Sequence, residues 1–323
     1  MDINLENLIE TNALIEQHIH GGFGIDFAKC DADSFIEFAQ KILKFGVCGF
    51  FPTLATDSIE NIQRQLNEIH SAIELQTKIE KPMAKILGVH LEGIFLNPDK
   101  KGIHNEEQLQ KPSIENYKLI ENDIIKIVTL APELDENFEL CKYLKGKGIR
   151  VSAGHSCATN LDTVDQVTHL YNAMGTFSHK EQSTAVKALS DDRIYAEVIA
   201  DGKHITDDVL KITFRCKPLD KIILISDALP ITHSNLESME FCSKVVYLKD
   251  GKATDAHGTM AGSTNFVSEI IKRIVTNDLM TLQTAVNLAS TNITYIEKPN
   301  EQIYWDKELN IKAIKINEKI INL

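Results

Sequence analysis

The segment "GVHLEGIFLNPDKKGIH", Gly88–His104, places a histidine and a glutamate one residue apart at the end of an apolar run. A polar loop closing on another histidine follows. In a strand, residues two apart face the same side, so His90 and Glu92 share a face. Buried imidazole and carboxylate groups are costly unless hydrogen-bonded or held on a metal. Units of the same kind recur along the chain: "ALIEQHIHGG" (13–22), "VCGFFPTLA" (47–55), "IIKIVTLAP" (124–132), "RVSAGH" (150–155), "QVTHLY" (166–171), "YAEVIADG" (195–202) and "KIILISDAL" (221–229). With "AKILGVHLEG" (84–93) they make eight candidate strands, separated by helical stretches or loops. Short buried strands alternating with helices imply a parallel sheet covered by helices, and eight such units favour a closed (β/α)8, TIM-like barrel over an open sheet. No Gly-rich phosphate fingerprint of the Rossmann or P-loop type is present.

The barrel is expected over 15–295, after a lead at 1–14 and before a short β appendage at 296–323, where "IYWDKELNIKAIKINEKIINL" reads as a few antiparallel strands. The first helix, "DADSFIEFAQKILKFG", is expected to be capped by Asp33 or Ser34 and to end before Gly46.

Charge narrows the function. With 34 Lys+Arg against 46 Asp+Glu, the net charge is −12, which repels phosphate backbones and anionic membrane surfaces. Nucleic acid and membrane are therefore not expected partners. Six cysteines lie without paired spacing and the start lacks a secretory pattern, so a reduced, cytoplasmic protein is expected. No apolar run approaches the roughly 18 residues of a membrane span.

The polar residues fall at strand ends: His18 and His20 at the first, Glu92 at the third, His155 at the fifth, His169 late in the sixth, His204 after the seventh and Asp227 after the eighth. In such a barrel these ends converge on one face, where active sites are built. Two imidazoles and a carboxylate with an open position make a catalytic site for a divalent ion. A separate carboxylate must then accept and return protons, and Asp227 is placed for it.

The ordered motifs "HIHGGFGIDF", "GVHLEGIFLNPDKKGIHN", "SAGHS", "THLYNAM", "IADGKHI", "ISDA" and "GTMAGS" resemble the N-acetylglucosamine-6-phosphate deacetylase family of the metal-dependent amidohydrolase superfamily. The resemblance runs from about Ile15 to Asn292. It implies a catalytic metal, zinc or iron, on Glu92, His155 and His169, with His104 polarising the acetamide carbonyl and Asp227 shuttling the proton. His18 and His20 are retained, where some superfamily members use such a pair for a second ion, so one or two metals per subunit are implied. Asn172, Ala173, His204, Met260, Ala261 and Gly262 match substrate-binding positions. The implied substrate is an amino-sugar phosphate, and the implied assembly a homodimer.

Three departures from that pattern stand out. The family's phosphate arginine is Lys180 here, in His179-Lys180-Glu181, and a point-like ammonium replaces a planar fork. The Pro-Gly that follows in the family is Gln182-Ser183, and the N-terminal strands of the family's small sandwich are expected to be reduced or missing. Two rival readings share the residues. One is a cyclic-amide hydrolase, whose bridging lysine on the fourth strand Lys126 matches poorly, being early rather than late. The other is a non-catalytic, metal-stabilised sugar-phosphate-binding barrel, against which Asp227 and His104 argue. His90 is expected to be buried and hydrogen-bonded.

Overall fold

The computed structural model describes residues 5–297 and 299–323; the first four residues of the lead, and residue 298 of the appendage, lie outside the described residues. Eight strands form one parallel sheet: β1 (Leu14–Ile19), β2 (Val47–Ala55), β3 (Val89–Glu92), β4 (Ile125–Leu130), β5 (Arg150–Ala153), β6 (Gln166–Val167), β7 (Tyr195–Val198) and β8 (Ile222–Leu224). They lie in sequence order, each hydrogen-bonded to the next, with Lys85–Ile86 pairing beside β2. Helices α1 (Ala32–Ile42), α2 (Ile59–Gln76), α3 (Ile114–Lys118), α4 (Glu139–Gly146), α5 (Thr184–Ser190), α6 (Asp207–Cys216), α7 (Val267–Thr276) and α8 (Leu282–Leu288) accompany the strands.

The layering follows from two periodicities. Along β3 and β4, Val89, Leu91, Val128 and Leu130 pack outward into the main core, while His90, Glu92, Ile127 and Thr129 alternate with them. Helix α7 answers with Val267, Ile270, Ile271 and Ile274, the 3.6-residue stripe of an amphipathic helix. Helix α1 is capped by the Asp31 side chain, which accepts from Ser34 N. The expected caps Asp33 and Ser34 thus lie inside the first turn, because Asp31 holds the extended backbone an N-cap needs.

Where the sequence predicts a closed barrel, the structure shows a curled parallel sheet whose first and last strands are not joined by a ladder. The described seam is a bridge at Ile19–Ala228, with Asp227 N donating to His18 O and His20 N to Ala228 O, both at 2.9 Å. Below it, the buried Glu16 carboxylate accepts from Ser226 N at 3.0 Å and Val267 N at 3.3 Å. Glu16 thus takes the Ser226 amide, which a strand carbonyl would take elsewhere in the sheet, and the amide of the first residue of α7. Strand β8 ends at Leu224, so only the chain just beyond it reaches β1.

Two four-stranded antiparallel sheets flank this body. The lead is more than a lead: Ile9–Asn12 pairs with Gln302–Trp305, which continues into Ile311–Ile316 and Lys319–Asn322. Trp305 ties them together by donating its indole N–H to Thr11 Oγ1 at 2.8 Å. The second sheet, Ser238–Phe241, Lys244–Lys249, Lys252–Asp255 and Met260–Gly262, was not anticipated from sequence. Its signal was Asp250-Gly251, both at positive φ, the dipeptide that favours a tight hairpin turn.

Candidate metal-dependent active site

The loops after the strands enclose a cavity of about 310 Å³ lined by His20, Glu92, His104, His155, His169, His204 and Asp227, with Met260, Ala261 and Gly262 as the wall supplied by the antiparallel insertion. Asn172 and Ala173 line it as well. His155, His169, Ala173 and Asp227 all adopt positive φ, a conformation that costs non-glycine residues energy and concentrates at functional sites.

Glu92 is the centre of the arrangement. Its Oε1 lies 2.9 Å from His169 Nε2 and 3.5 Å from His155 Nε2. Its Oε2 lies 3.1 Å from both His18 Nε2 and His20 Nε2. Asp227 Oδ1 faces the same first pair of histidines, 3.4 Å from His18 and 3.2 Å from His20. Within each pair the Nε2 atoms approach each other, at 3.1 Å for His155–His169 and 3.3 Å for His18–His20.

The opposite ring nitrogens show why this set fits a cation. His20 Nδ1 lies 3.2 Å from Thr53 O, His155 Nδ1 2.8 Å from Lys100 O, and His18 Nδ1 3.1 Å from Glu197 Oε2. Those oxygens accept, so each Nδ1 carries a hydrogen, and it is Nε2 whose lone pair the ring can offer to a cation. Lone pairs and carboxylate oxygens converging in a buried space require positive charge between them. The same need appears in the protonation energetics. For His18, His20 and His169, burial alone disfavours the charged ring, yet the carboxylates around them raise all three above the ordinary imidazole range. Burial likewise pushes the Glu92 carboxyl up, but the His18 charge and hydrogen bonds from His155, His169 and His18 hold it well below the usual carboxylate range. A divalent ion satisfies these donors better than protons do, because each ring can then stay neutral and coordinate.

His104 differs from these three histidines. Burial, then the His155 charge, holds it well below the ordinary imidazole range. His90 is buried deeper, with Nε2 2.8 Å from Thr129 Oγ1, and burial pushes it down to about 3. His204 lies against Asp201, Nδ1 to Oδ2 at 2.9 Å.

Lys180 is exposed and is not among the lining residues of its own chain; Lys100 is. Sequence reasoning also passed over Glu197 and Asp201. Glu197 hides inside "YAEVIADG", where a strand glutamate has no local mark, although its burial on β7 places it under His18. Asp201 did carry a signal, an aspartate three residues before a histidine in a loop.

Scanned against protein-family models, the chain matches none. Curated proteins do resemble it. The N-acetylglucosamine-6-phosphate deacetylase of Bacillus subtilis strain 168 is 34% identical over 262 residues, 77% of this chain and 65% of that protein, so the chain spans just under two thirds of that relative. The protein of the same name from Haemophilus influenzae is 30% identical over 303 residues, 90% of this chain and 77% of the relative. The crystal structure of N-acetylglucosamine-6-phosphate deacetylase from Pasteurella multocida matches with a TM-score of 0.88 at 25% identity, over 99% of this chain and 88% of that one. With sequence and fold agreeing over most of its length, the chain belongs to the N-acetylglucosamine-6-phosphate deacetylase family.

Proposed function

We propose that this chain hydrolyses the acetamide of N-acetylglucosamine 6-phosphate to glucosamine 6-phosphate and acetate, in amino-sugar catabolism. The observation that carries the reading is Glu92, whose two oxygens each face a separate pair of histidines in the cavity that Asp227 and His104 also line. Glu92, His155 and His169 would hold one divalent ion, zinc or iron, and His18, His20 and Glu92 a second, with Glu92 as the bridge. Such ions supply Lewis acidity and lower the pKa of water to about 7. His104 donates a hydrogen bond to the acetamide oxygen. Asp227 takes the proton of the attacking water and returns it to the departing amine. Asn172, Ala173, His204 and the Met260–Gly262 strand would orient the sugar, on a parallel sheet read as a (β/α)8 barrel completed at the Ile19–Ala228 bridge.

The reading is tested by acetate release from the phosphorylated sugar, its C4 epimer and the unphosphorylated sugar after loading with zinc or iron. Turnover of none of them would reject it. A cyclic-amide hydrolase is disfavoured because Lys126, the candidate bridging lysine, is exposed and its ammonium donates to Asp123 O at 2.8 Å.

A cytoplasmic homodimer completes the proposal, in keeping with six free cysteines and with Lys180 lying off its own cavity. In such a dimer Lys180 would meet the phosphate in the second copy's site. A hydrogen bond to a charged group is worth about 1.5–3 kcal/mol, so Lys180→Ala should raise KM for the phosphorylated sugar roughly ten- to a hundredfold. Equal KM changes for phosphorylated and unphosphorylated sugars would instead make Lys180 a solvated loop residue.

Glu197 offers a test of the second ion. Its carboxylate accepts from His18 Nδ1, leaving Nε2 free as a ligand, and glutamine could instead donate to Nδ1 and reverse the tautomer. Groups that hold metal-binding histidines in this way typically contribute about 10–100-fold in affinity. Glu197→Gln should weaken one of two ions by that factor in a cobalt titration and spare the other. Two unchanged affinities would remove Glu197 from this role.

A further inference from the structure

Thr56 immediately follows β2 and is buried against the opening segment of the active-site loop. Its backbone N–H donates to His104 Nδ1 at 3.3 Å, and its hydroxyl lies 2.9 Å from the same nitrogen. The hydroxyl oxygen in turn accepts from Ile94 N at 3.2 Å, which leaves the hydroxyl hydrogen free for His104. A backbone amide can only donate, so Nδ1 must be an acceptor and carries no hydrogen. A ring hydrogen on Nδ1 would point at the Thr56 amide hydrogen.

We infer that Thr56 is the positioning residue that fixes His104 as its Nε2–H tautomer, so that the ring presents a donor rather than a lone pair to the cavity. This rests on the reading of His104 as the group that polarises the acetamide carbonyl. Two consequences follow from the tautomer. His104 is removed from the metal ligands, although it clusters with Glu92 and His155, because a protonated Nε2 has no lone pair to give. The donor is also aimed in advance, so no reorganisation is needed as negative charge develops on the carbonyl oxygen.

The same geometry explains the glycine in His90-Leu91-Glu92-Gly93. A Cβ on Gly93 would lie 2.4 Å from Thr56 N and 2.7 Å from Thr56 Cα. Both are backbone atoms with no room to give, so only glycine lets the chain after Glu92 pass close enough for Ile94 N to reach Thr56 Oγ1. Thr56 and His104 are 48 residues apart, and this close approach brings their segments together.

The test compares kcat and KM for wild type, Thr56→Val, Thr56→Ser and His104→Asn, all metal-loaded, on the N-acetyl and the N-trifluoroacetyl sugar phosphate. Loss of a whole oxyanion donor costs about 10²–10³-fold. Thr56→Val keeps the backbone donor, so its kcat should fall about tenfold with little change in KM or metal content, and Thr56→Ser should restore it. The trifluoroacetyl carbonyl is already electrophilic, so the Thr56→Val defect should shrink on that substrate. Unchanged kcat in Thr56→Val, no rescue by serine, or equal defects on both substrates would overturn the inference. Near-wild-type kcat in His104→Asn would instead reject the role of His104, and the inference with it. If Thr56→Val does not fold, ring-nitrogen NMR of wild-type His104 decides: a hydrogen on Nε2 supports the assignment, and one on Nδ1 overturns it.

Discussion

Asp227→Asn should lower kcat by about 10²–10⁴-fold, the usual cost of removing an acid–base group, while metal content stays near the wild-type level. The backbone of residue 227 is held independently of the carboxylate: its N–H donates to His18 O at 2.9 Å and its carbonyl accepts from Ser263 N at 2.8 Å. Its φ of 52° is a conformation that asparagine tolerates as well as aspartate. Asparagine also keeps an oxygen for the side facing His18 and His20. What it cannot do is take a proton from water and return it to an amine. Steady-state kinetics paired with elemental analysis separate the two effects. A variant with near-wild-type kcat would show that Asp227 is not the base, and a variant that lost its metal would show that Asp227 serves chiefly as a ligand.

Glu92→Gln should abolish activity by a different route, through loss of bound metal. The four imidazole Nε2 atoms of His18, His20, His155 and His169 lie within 3.5 Å of this one carboxylate. Glutamine removes the negative charge and turns an N–H₂ group toward one of the two pairs. If Glu92 bridges two ions, both should be lost on dialysis, and without an ion the pKa of water returns from about 7 to its far higher bulk value. Loss of only one ion would make Glu92 a ligand to a single site. Full stoichiometry in the variant would overturn the metal reading of this centre.

These two residues were legible in the sequence because they terminate apolar runs of strand length. Each of the eight strands was read from its own residues, since alternation and burial are local properties of a strand. Gly93 and the polar loop to His104 were read from the same short segment. The antiparallel insertion could have been read locally too, from Asp250-Gly251 between alternating segments. Within it Met260–Gly262, part of the motif "GTMAGS", is the last strand.

Local pattern established that a parallel α/β sheet would gather histidines, a glutamate and an aspartate at one end. Only the tertiary structure decided how they divide. Which Glu92 oxygen meets which pair of histidines depends on strand register, such as Glu92 opposite Ala55 and Thr129, and on how tightly the sheet curls. Glu197 meets His18 across 179 residues, a contact without any periodicity along the chain. The incomplete ladder between β1 and β8 likewise depends on where the last strand ends relative to the first, and Glu16 fills that gap from a position that reads as ordinary strand. Hydrophobic periodicity specifies which face of an element is buried, but a hydrogen bond specifies a partner, and partners distant in sequence are chosen by packing and register.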